Sequence, residues 1–436
     1  MTNQQQPSRF QQLRTQYGQT IRWGLEHWST VLSGLALYSG LNALTLIIIA
    51  RRVTPTEYGQ YLASFALASF LVVLPSFGMD AWILTQHREK WSGTLALWAG
   101  SLRTRASLLI PWLAVMLLLS VVLPDATYPP KILVPTIFGV AFDSLLFLSY
   151  AALRTRHRHR QIAVVQAAYS ITLLCLSLVL PIEDGHVAIF AAARMLLSFS
   201  ASLIVLVALG WRYFENKDAL PPMRSILHAS RPFMLSELAS SVYLKADVTI
   251  ISIVIGTAGT SVYGPAITLL QAAFLVPAAL FYVMVPTLSK TFTEDRGKFL
   301  SQSRAQTWVQ VTLGAVISVV TFLLAPYIVD LVFGEGYAES ADVLRLLSPL
   351  PFIRALNFAF AAILTSCERQ KDRTRVQIFA AAVNVIGNLI VIARYGILGV
   401  SVMFLLSETA LWFGYSLILR DQVRQMRQPS NGIRSP

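Results

Sequence analysis

Six ionisable side chains fall where the hydropathy of the chain places the middle of a bilayer. Arg194, Lys245 and Arg354 are cations, and Asp143, Asp247 and Glu408 are acids; Glu237 lies nearer one membrane surface. Insertion scales put a charge at that depth at about 2.5 kcal/mol or more, so each of these groups needs a partner or a task. The cations come from three predicted helices and from both halves of the chain. A guanidinium is a forked donor that suits phosphate. Three deep cations around shared wet space would therefore hold an anionic cargo. The same residues allow a second arrangement, in which Arg194 pairs with Asp143 and Arg354 pairs with Glu408.

Lys245 and Asp247 are two apart on one helix and point to different sides. Lys245 shares a face with Glu237 and Ser241, and Asp247 shares one with Ser240 and Leu244. Asn384 and Asn388 are spaced i, i+4 and lie on one face. Their amides could join neighbouring helices. They could also supply oxygens to a small cation together with Asp247 or Glu408.

No enzyme and no cofactor are expected. The chain holds no Gly-rich phosphate loop after a strand, no HExxH, no GxSxG and no Cys/His cluster. Cys175 and Cys367 cannot build a disulfide framework. The longest polar connection is about 20 residues, too short for an ATPase. Energy would come from a Na+ or H+ gradient, from the membrane potential or from the downhill fate of the product.

The elements that must position these residues follow from composition. Of 436 residues, 55% are hydrophobic and 13% charged, and the mean hydropathy is +0.58. A soluble domain carries about 25% charged residues. This chain cannot clothe a water-exposed surface, which excludes a soluble enzyme, a disordered protein and a nucleic-acid-binding domain. A helix needs roughly 20 apolar residues to span a bilayer. Twelve such runs predict an all-α integral membrane protein, at about 29–50, 59–85, 105–124, 132–153, 162–182, 187–211, 233–255, 262–286, 307–333, 342–365, 375–393 and 397–419. The third could start anywhere between Ser92 and Ala106. The tail 1–28 ends in Trp23 and Trp28, lacks the pattern of a cleavable signal, and reads as cytoplasmic.

Orientation follows from Lys and Arg. With both termini cytoplasmic, 27 of the 35 basic residues fall in cytoplasmic tails and connections, and 4 in outer connections (Arg51, Arg52, Lys131 and Arg394). The net charge of +13 then faces the cytoplasmic leaflet. The run RTRHRHR (154–160) is a topology signal rather than a metal site at His157 and His159. Asp80, at a span end, reads as interfacial.

A connection at 212–232, with Pro221-Pro222 and a short amphipathic stretch Met223–Ser230, divides six spans from six. This predicts an N-lobe over 29–211, a C-lobe over 233–419 and a cytoplasmic tail over 420–436. Tyr58-Gly59 and Tyr263-Gly264 each follow an outer turn and open a small-residue helix. The halves therefore read as a parallel repeat related by an axis along the membrane normal, with a site between them.

Four stretches in order resemble the polysaccharide-synthesis (O-antigen) flippases of the multidrug/oligosaccharidyl-lipid/polysaccharide (MOP) exporter superfamily. The first, 37–83, has a turn built of Arg51, Pro55, Glu57, Tyr58 and Gly59, and ends on Gly78-Met79-Asp80. The second, 243–266, carries Asp247 and Tyr263. The third, 323–349, carries Pro326, Phe333-Gly334 and Tyr337. The last has Asn384 and Asn388 followed by RYGILGVS (394–401).

The resemblance implies two pseudo-symmetric six-helix lobes in a V around a central cavity, working by alternating access in the plasma (inner) membrane. It implies a polyprenyl-pyrophosphate-linked oligosaccharide as cargo, moved from the cytoplasmic to the outer leaflet for O-antigen, capsule or exopolysaccharide assembly. Membrane lipids, a polysaccharide polymerase and glycosyltransferases are the expected partners, and no nucleic acid. Arg194, Lys245 and Arg354 would meet the pyrophosphate and sugars; Asp247, Asn384, Asn388 and Glu408 would couple an ion. Related peptidoglycan-precursor flippases have fourteen spans, and this chain lacks the extra pair. Two alternatives stand beside this reading. One is a cation-coupled multidrug exporter of the same superfamily. The other is a non-transporting scaffold for polysaccharide-synthesis enzymes, whose deep charges would all be paired with no cavity between them.

Overall fold

A computed structural model describes residues 37–86, 91–156, 158–182, 186–210 and 220–427. The tail 1–28, His157, most of the inter-lobe connection and residues 428–436 lie outside the described residues. The described chain is helical throughout, and no strand occurs in it. Helix α1 covers 37–52. It is followed by α2 (Pro55–Leu71), α3 (Val73–Ser76), α4 (Met79–Leu84), α5 (Trp91–Val122), α6 (Pro130–Arg154), α7 (His159–Val179) and α8 (Val187–Gly210). The remainder forms α9 (Met223–Val254), α10 (Thr257–Glu294), α11 (Arg296–Phe333), α12 (Glu339–Leu346), α13 (Leu350–Ser366) and α14 (Gln370–Arg427). Non-helical Gly396 divides α14 into two arms.

Among the described residues, eight helices are long and apolar enough to cross a membrane, or nine when α12 and α13, bent by 41°, count as one span. The other predicted spans fall on α1, on the second arm of α14, and on α9, which carries Glu237, Lys245 and Asp247. Every predicted span thus lies on a helix. The second is broken into α2, α3 and α4, with Phe77 and Gly78 in left-handed conformation between the last two. The third begins at Trp91, so Arg103 and Arg105 belong to α5 rather than to a connection. The predicted stretch Met223–Ser230 forms the first turns of α9, and α14 runs on into the predicted tail. Side chains such as Leu118, Ile204 and Ile390 are more than half exposed, as a lipid-facing surface requires.

Local chemistry explains the boundaries. Thr54 and Glu57 form a reciprocal capping box at the start of α2, with Pro55 in the first turn. The Asp295 carboxylate accepts the Lys298 amide at 3.0 Å and starts α11. Two of the outer arginines of the charge pattern have a structural role. Arg51 donates to the carbonyls of Leu331 and Val332 at the end of α11. Arg52 donates to Ser177 and Leu178 at the end of α7, at 2.6 and 2.8 Å. A cation there satisfies orphan carbonyls and opposes the helix dipole.

The two ends of the bundle differ. The face that gathers most Lys and Arg is called the basic face below, and the other the sparse face. Near the sparse face the halves share one core. Tyr58 of α2 meets Tyr337 edge-on at 5.7 Å and Phe333 at 6.3 Å, while the Tyr337 hydroxyl donates to the Ala50 carbonyl at 3.0 Å. Here the repeated Tyr-Gly motifs meet. A Cβ on Gly59 would stand 2.8 Å from the Thr257 carbonyl oxygen, and one on Gly264 would stand 2.2 Å from Leu62 Cδ1. Helices α2 and α10 come this close because each places a glycine at the crossing. Toward the basic face the first half's core takes in the start of α9: Met79, Trp98 and Leu148 pack with Ile226, while Leu288, Phe299 and Ile363 form a separate cluster within the second half.

Candidate functional site

Between the halves lies a cavity of about 350 Å³. Tyr38 and Asn42 of α1, Tyr61 of α2, Tyr169 of α7, Arg194 of α8 and Gln271 of α10 line it, and among the described residues no carboxylate does. Its wall is held by its own bonds. The Asn42 amide donates to the Tyr38 carbonyl at 2.7 Å and to Ser170 Oγ at 3.2 Å. Satisfied amides and hydroxyls beside aromatic rings suit a polar, uncharged group such as a sugar.

Arg194 supplies the cavity's charge. Its Nη2 meets Asp143 Oδ2 of α6 at 2.6 Å, and its guanidinium carbon lies 4.6 Å from the Phe65 ring centroid. Asp143 also accepts the Tyr169 hydroxyl at 3.4 Å, and that hydroxyl is 3.0 Å from Ser198 Oγ. In the second half, Arg354 Nη1 meets Glu408 Oε1 at 2.9 Å and lies 4.7 Å from the Phe274 ring. Asn357 donates to Glu408 Oε2 at 2.7 Å. Both pairings allowed by the sequence are formed.

The structure does not bring the three expected cations into one space. Among the described residues lining the cavity, Arg194 is the only cation. Arg354 is walled in by Phe274 and Glu408. The Lys245 ammonium donates to the Ser69 carbonyl at 2.9 Å, near the end of α2.

Lys245 and Asp247 do point apart, as their spacing requires. Lys245 turns to α2 and Asp247 to the second half. Asp247 Oδ1 accepts Asn388 Nδ2 at 2.7 Å, and Oδ2 accepts the Tyr263 hydroxyl at 3.4 Å. Asn388 also donates to Asn384 Oδ1 at 3.2 Å, and Asn384 donates to Ser407 Oγ at 3.4 Å. These bonds tie α9, α10 and both arms of α14 together. Asn388 Oδ1 is buried without a hydrogen-bond partner. The asparagines thus join helices and leave an amide oxygen beside a carboxylate.

One constellation escaped the sequence reading. Arg105 is fully buried and pairs with Asp80 Oδ1 at 3.0 Å. It also donates to the Ser144 carbonyl at 2.7 Å and the Ser76 carbonyl at 2.9 Å. One guanidinium therefore joins α3, α4, α5 and α6, and Asp80 is a structural partner rather than an interfacial charge. Glu237 of α9 faces Asp80, Arg105, the Gly78 amide and Lys245. The available signal was the apolar stretch Thr94–Gly100, which extends the third span backward and carries Arg105 inside.

The family profile described as "Polysaccharide biosynthesis protein" matches residues 25–292, and a second, MatE, matches residues 232–390. No curated protein sequence matches the chain. Among solved structures, the lipid II flippase MurJ in an inward closed conformation is similar at a TM-score of 0.66 and 13% identity, over 89% of this chain and 87% of that one. A MOP superfamily transporter from Pyrococcus furiosus Vc1 (DSM3638) is similar at 0.61 and 14% identity, over 93% and 96%. The outward-facing conformation of a multidrug resistance MATE family transporter is similar at 0.56 and 14% identity, over 93% and 96%. These likenesses agree on one two-lobed helical fold. The chain belongs to the polysaccharide biosynthesis protein family, and its described residues form at least eight helices long and apolar enough to cross a membrane.

Proposed function

We propose that the protein is a flippase for polyprenyl-pyrophosphate-linked oligosaccharides. The observation that carries this reading is the central cavity, whose described lining offers a polar aromatic wall and one guanidinium, held by Asp143. A pyrophosphate matches the arginine, and sugars match the amides and hydroxyls. The basic face is the cytoplasmic one, with both chain termini on it. The shared core at the sparse face then closes the outer side, so this state receives cargo from the cytoplasmic leaflet of the plasma membrane. Polymerase and glycosyltransferases would act on the cargo before and after it crosses.

Transbilayer movement of such a lipid in proteoliposomes tests the proposal, read by exposure of the sugar to an external modifying enzyme. Movement should depend on the protein. Arg194→Ala should slow it about tenfold or more while membrane insertion stays intact, because hydrogen bonds to a charged group are worth about 1.5–3 kcal/mol. Unchanged movement would remove Arg194 from the cargo site.

The multidrug reading is favoured by the MatE match, but a cationic drug would meet Arg194 without a lining acid. Export of a cationic dye with no lipid movement would decide for it. The scaffold reading requires no cavity between the halves, and a cavity lies there.

Coupling to an ion belongs to the second half. We assign Asp247, Asn384 and Asn388 to a small cation, with Na+ the first to test, and Glu408 beside them. Asp247→Asn should abolish any Na+ dependence of lipid movement while leaving the protein folded, since an amide keeps an oxygen for the Tyr263 hydroxyl. Retained Na+ dependence would reduce the cluster to helix-joining bonds.

A further inference from the structure

The two deep arginines are held alike in opposite halves. Arg194 stacks on Phe65 of α2 and pairs with Asp143; Arg354 stacks on Phe274 of α10 and pairs with Glu408. Helices α2 and α10 carry the repeated Tyr-Gly. Phe65 follows Tyr58 by seven residues, and Phe274 follows Tyr263 by eleven. At 3.6 residues per turn, both rings lie within about 20° of their tyrosine's face, one turn apart in depth. The charges sit on the fourth and sixth membrane segments of each half, in opposite order. The first half has the acid on the fourth (α6) and the arginine on the sixth (α8). The second has the arginine on the fourth (α13) and the acid on the sixth (the second arm of α14). What the halves share is a trio of ring, guanidinium and carboxylate.

Only the first trio opens on the cavity, and there the carboxylate has a consequence for cargo. An Arg–Asp pair carries no net charge. An anion reaching Arg194 must therefore replace Asp143 or add charge beside it. A phosphodiester brings one negative charge, as the carboxylate does, and gains little by the exchange. A pyrophosphate diester brings two and more acceptor oxygens, so it wins the fork. The released carboxylate is not stranded, because the Tyr169 hydroxyl already stands 3.4 Å from it.

We propose that Asp143 is a specificity-determining residue, a built-in competing anion that sets a charge threshold at Arg194 and selects pyrophosphate-linked over monophosphate-linked lipids. The proposal rests on the reading of the cavity as an anionic-cargo site. It goes beyond that reading by giving a role to the acid rather than to the arginine.

The test uses the full-length protein in nanodiscs and two short-chain probes: farnesyl-pyrophosphoryl-N-acetylglucosamine and farnesyl-phosphoryl-N-acetylglucosamine. Equilibrium binding of each is measured for the wild type, Asp143→Asn, Asp143→Ser and Arg194→Gln, with thermal unfolding of every variant. The wild type should favour the pyrophosphate probe about tenfold or more. Asp143→Asn should narrow that ratio to about threefold or less, mainly by strengthening the monophosphate probe; the amide still accepts from Arg194 but brings no charge. Asp143→Ser should do the same should the Asn variant fail to fold. Arg194→Gln should weaken both probes. A wild type that binds while both Asp143 variants keep its ratio overturns the charge threshold and leaves the flippase reading standing. A wild type that binds neither probe overturns both.

Discussion

Replacing Arg105 by leucine is expected to remove most of the stability of the first half. The side chain is fully buried and serves three partners on α3, α4 and α6 from its place on α5. Leucine fills the volume but leaves Asp80 with an unpaired charge and two carbonyls without donors. Breaking a buried pair from one side costs about 3–5 kcal/mol, a large part of the roughly 5–15 kcal/mol that holds a typical folded protein together. The expected signature is a sharp drop in thermal midpoint in detergent and in the yield of folded protein. Arg105→Lys should recover only part of the loss, because an ammonium keeps the charge but not the fork that reaches Asp80 and two carbonyls at once. The double change Arg105→Leu with Asp80→Leu should be less damaging than Arg105→Leu alone, since it removes the stranded acid. Wild-type stability in the single variant would show that the pair contributes nothing.

The second large effect is expected at the crossing of α2 and α10. A Cβ on Gly59 would meet backbone, the Thr257 carbonyl oxygen at 2.8 Å and the Ser261 nitrogen at 3.1 Å, which cannot swing aside as a side chain can. Gly59→Val forces the helices apart, and overpacking of this kind costs about 1–3 kcal/mol. That penalty falls on the state in which the helices touch and not on one in which they have parted. The population should shift by about fivefold to a hundredfold toward opening at the sparse face. A cysteine at Ala272, in the cavity wall, reports it in a background without Cys175 and Cys367. Labelling by a membrane-impermeant thiol reagent added from the sparse face should speed up at least about fivefold. An unchanged rate would mean that this crossing does not close the cavity.

The spans were legible because crossing a bilayer demands runs of about 20 apolar residues, and few other folds do. The pairings of Arg194 with Asp143 and Arg354 with Glu408 were legible as one of two arrangements, since charges at that depth have few other ways to be satisfied. Arg105 was not legible as a buried group. A cation at the edge of an apolar run looks like the end of a span, and only packing shows that the helix began fourteen residues earlier. Lys245 was legible as a cation inside an apolar run, but its partner is the Ser69 carbonyl beside a break in α2, and no spacing rule announces a break of that kind. The Tyr-Gly repeat was visible as a motif, whereas the contact between its two copies depends on how the halves dock.

Helix α9 sits between the halves along much of its length. Ile226 packs in the first half's core; Lys245 holds Ser69, and Ser252 accepts the Tyr128 hydroxyl at 2.7 Å. On its other side Asp247 is held by Asn388 and Tyr263. Neither half presents a complete surface without it. Loss of structure in one half would strip α9 of its partners there and weaken the other, so the two lobes are bound into a single cooperative unit of unfolding. In the proposed transport cycle, the helix that slides as the cavity changes sides is also the one that keeps the lobes from failing separately.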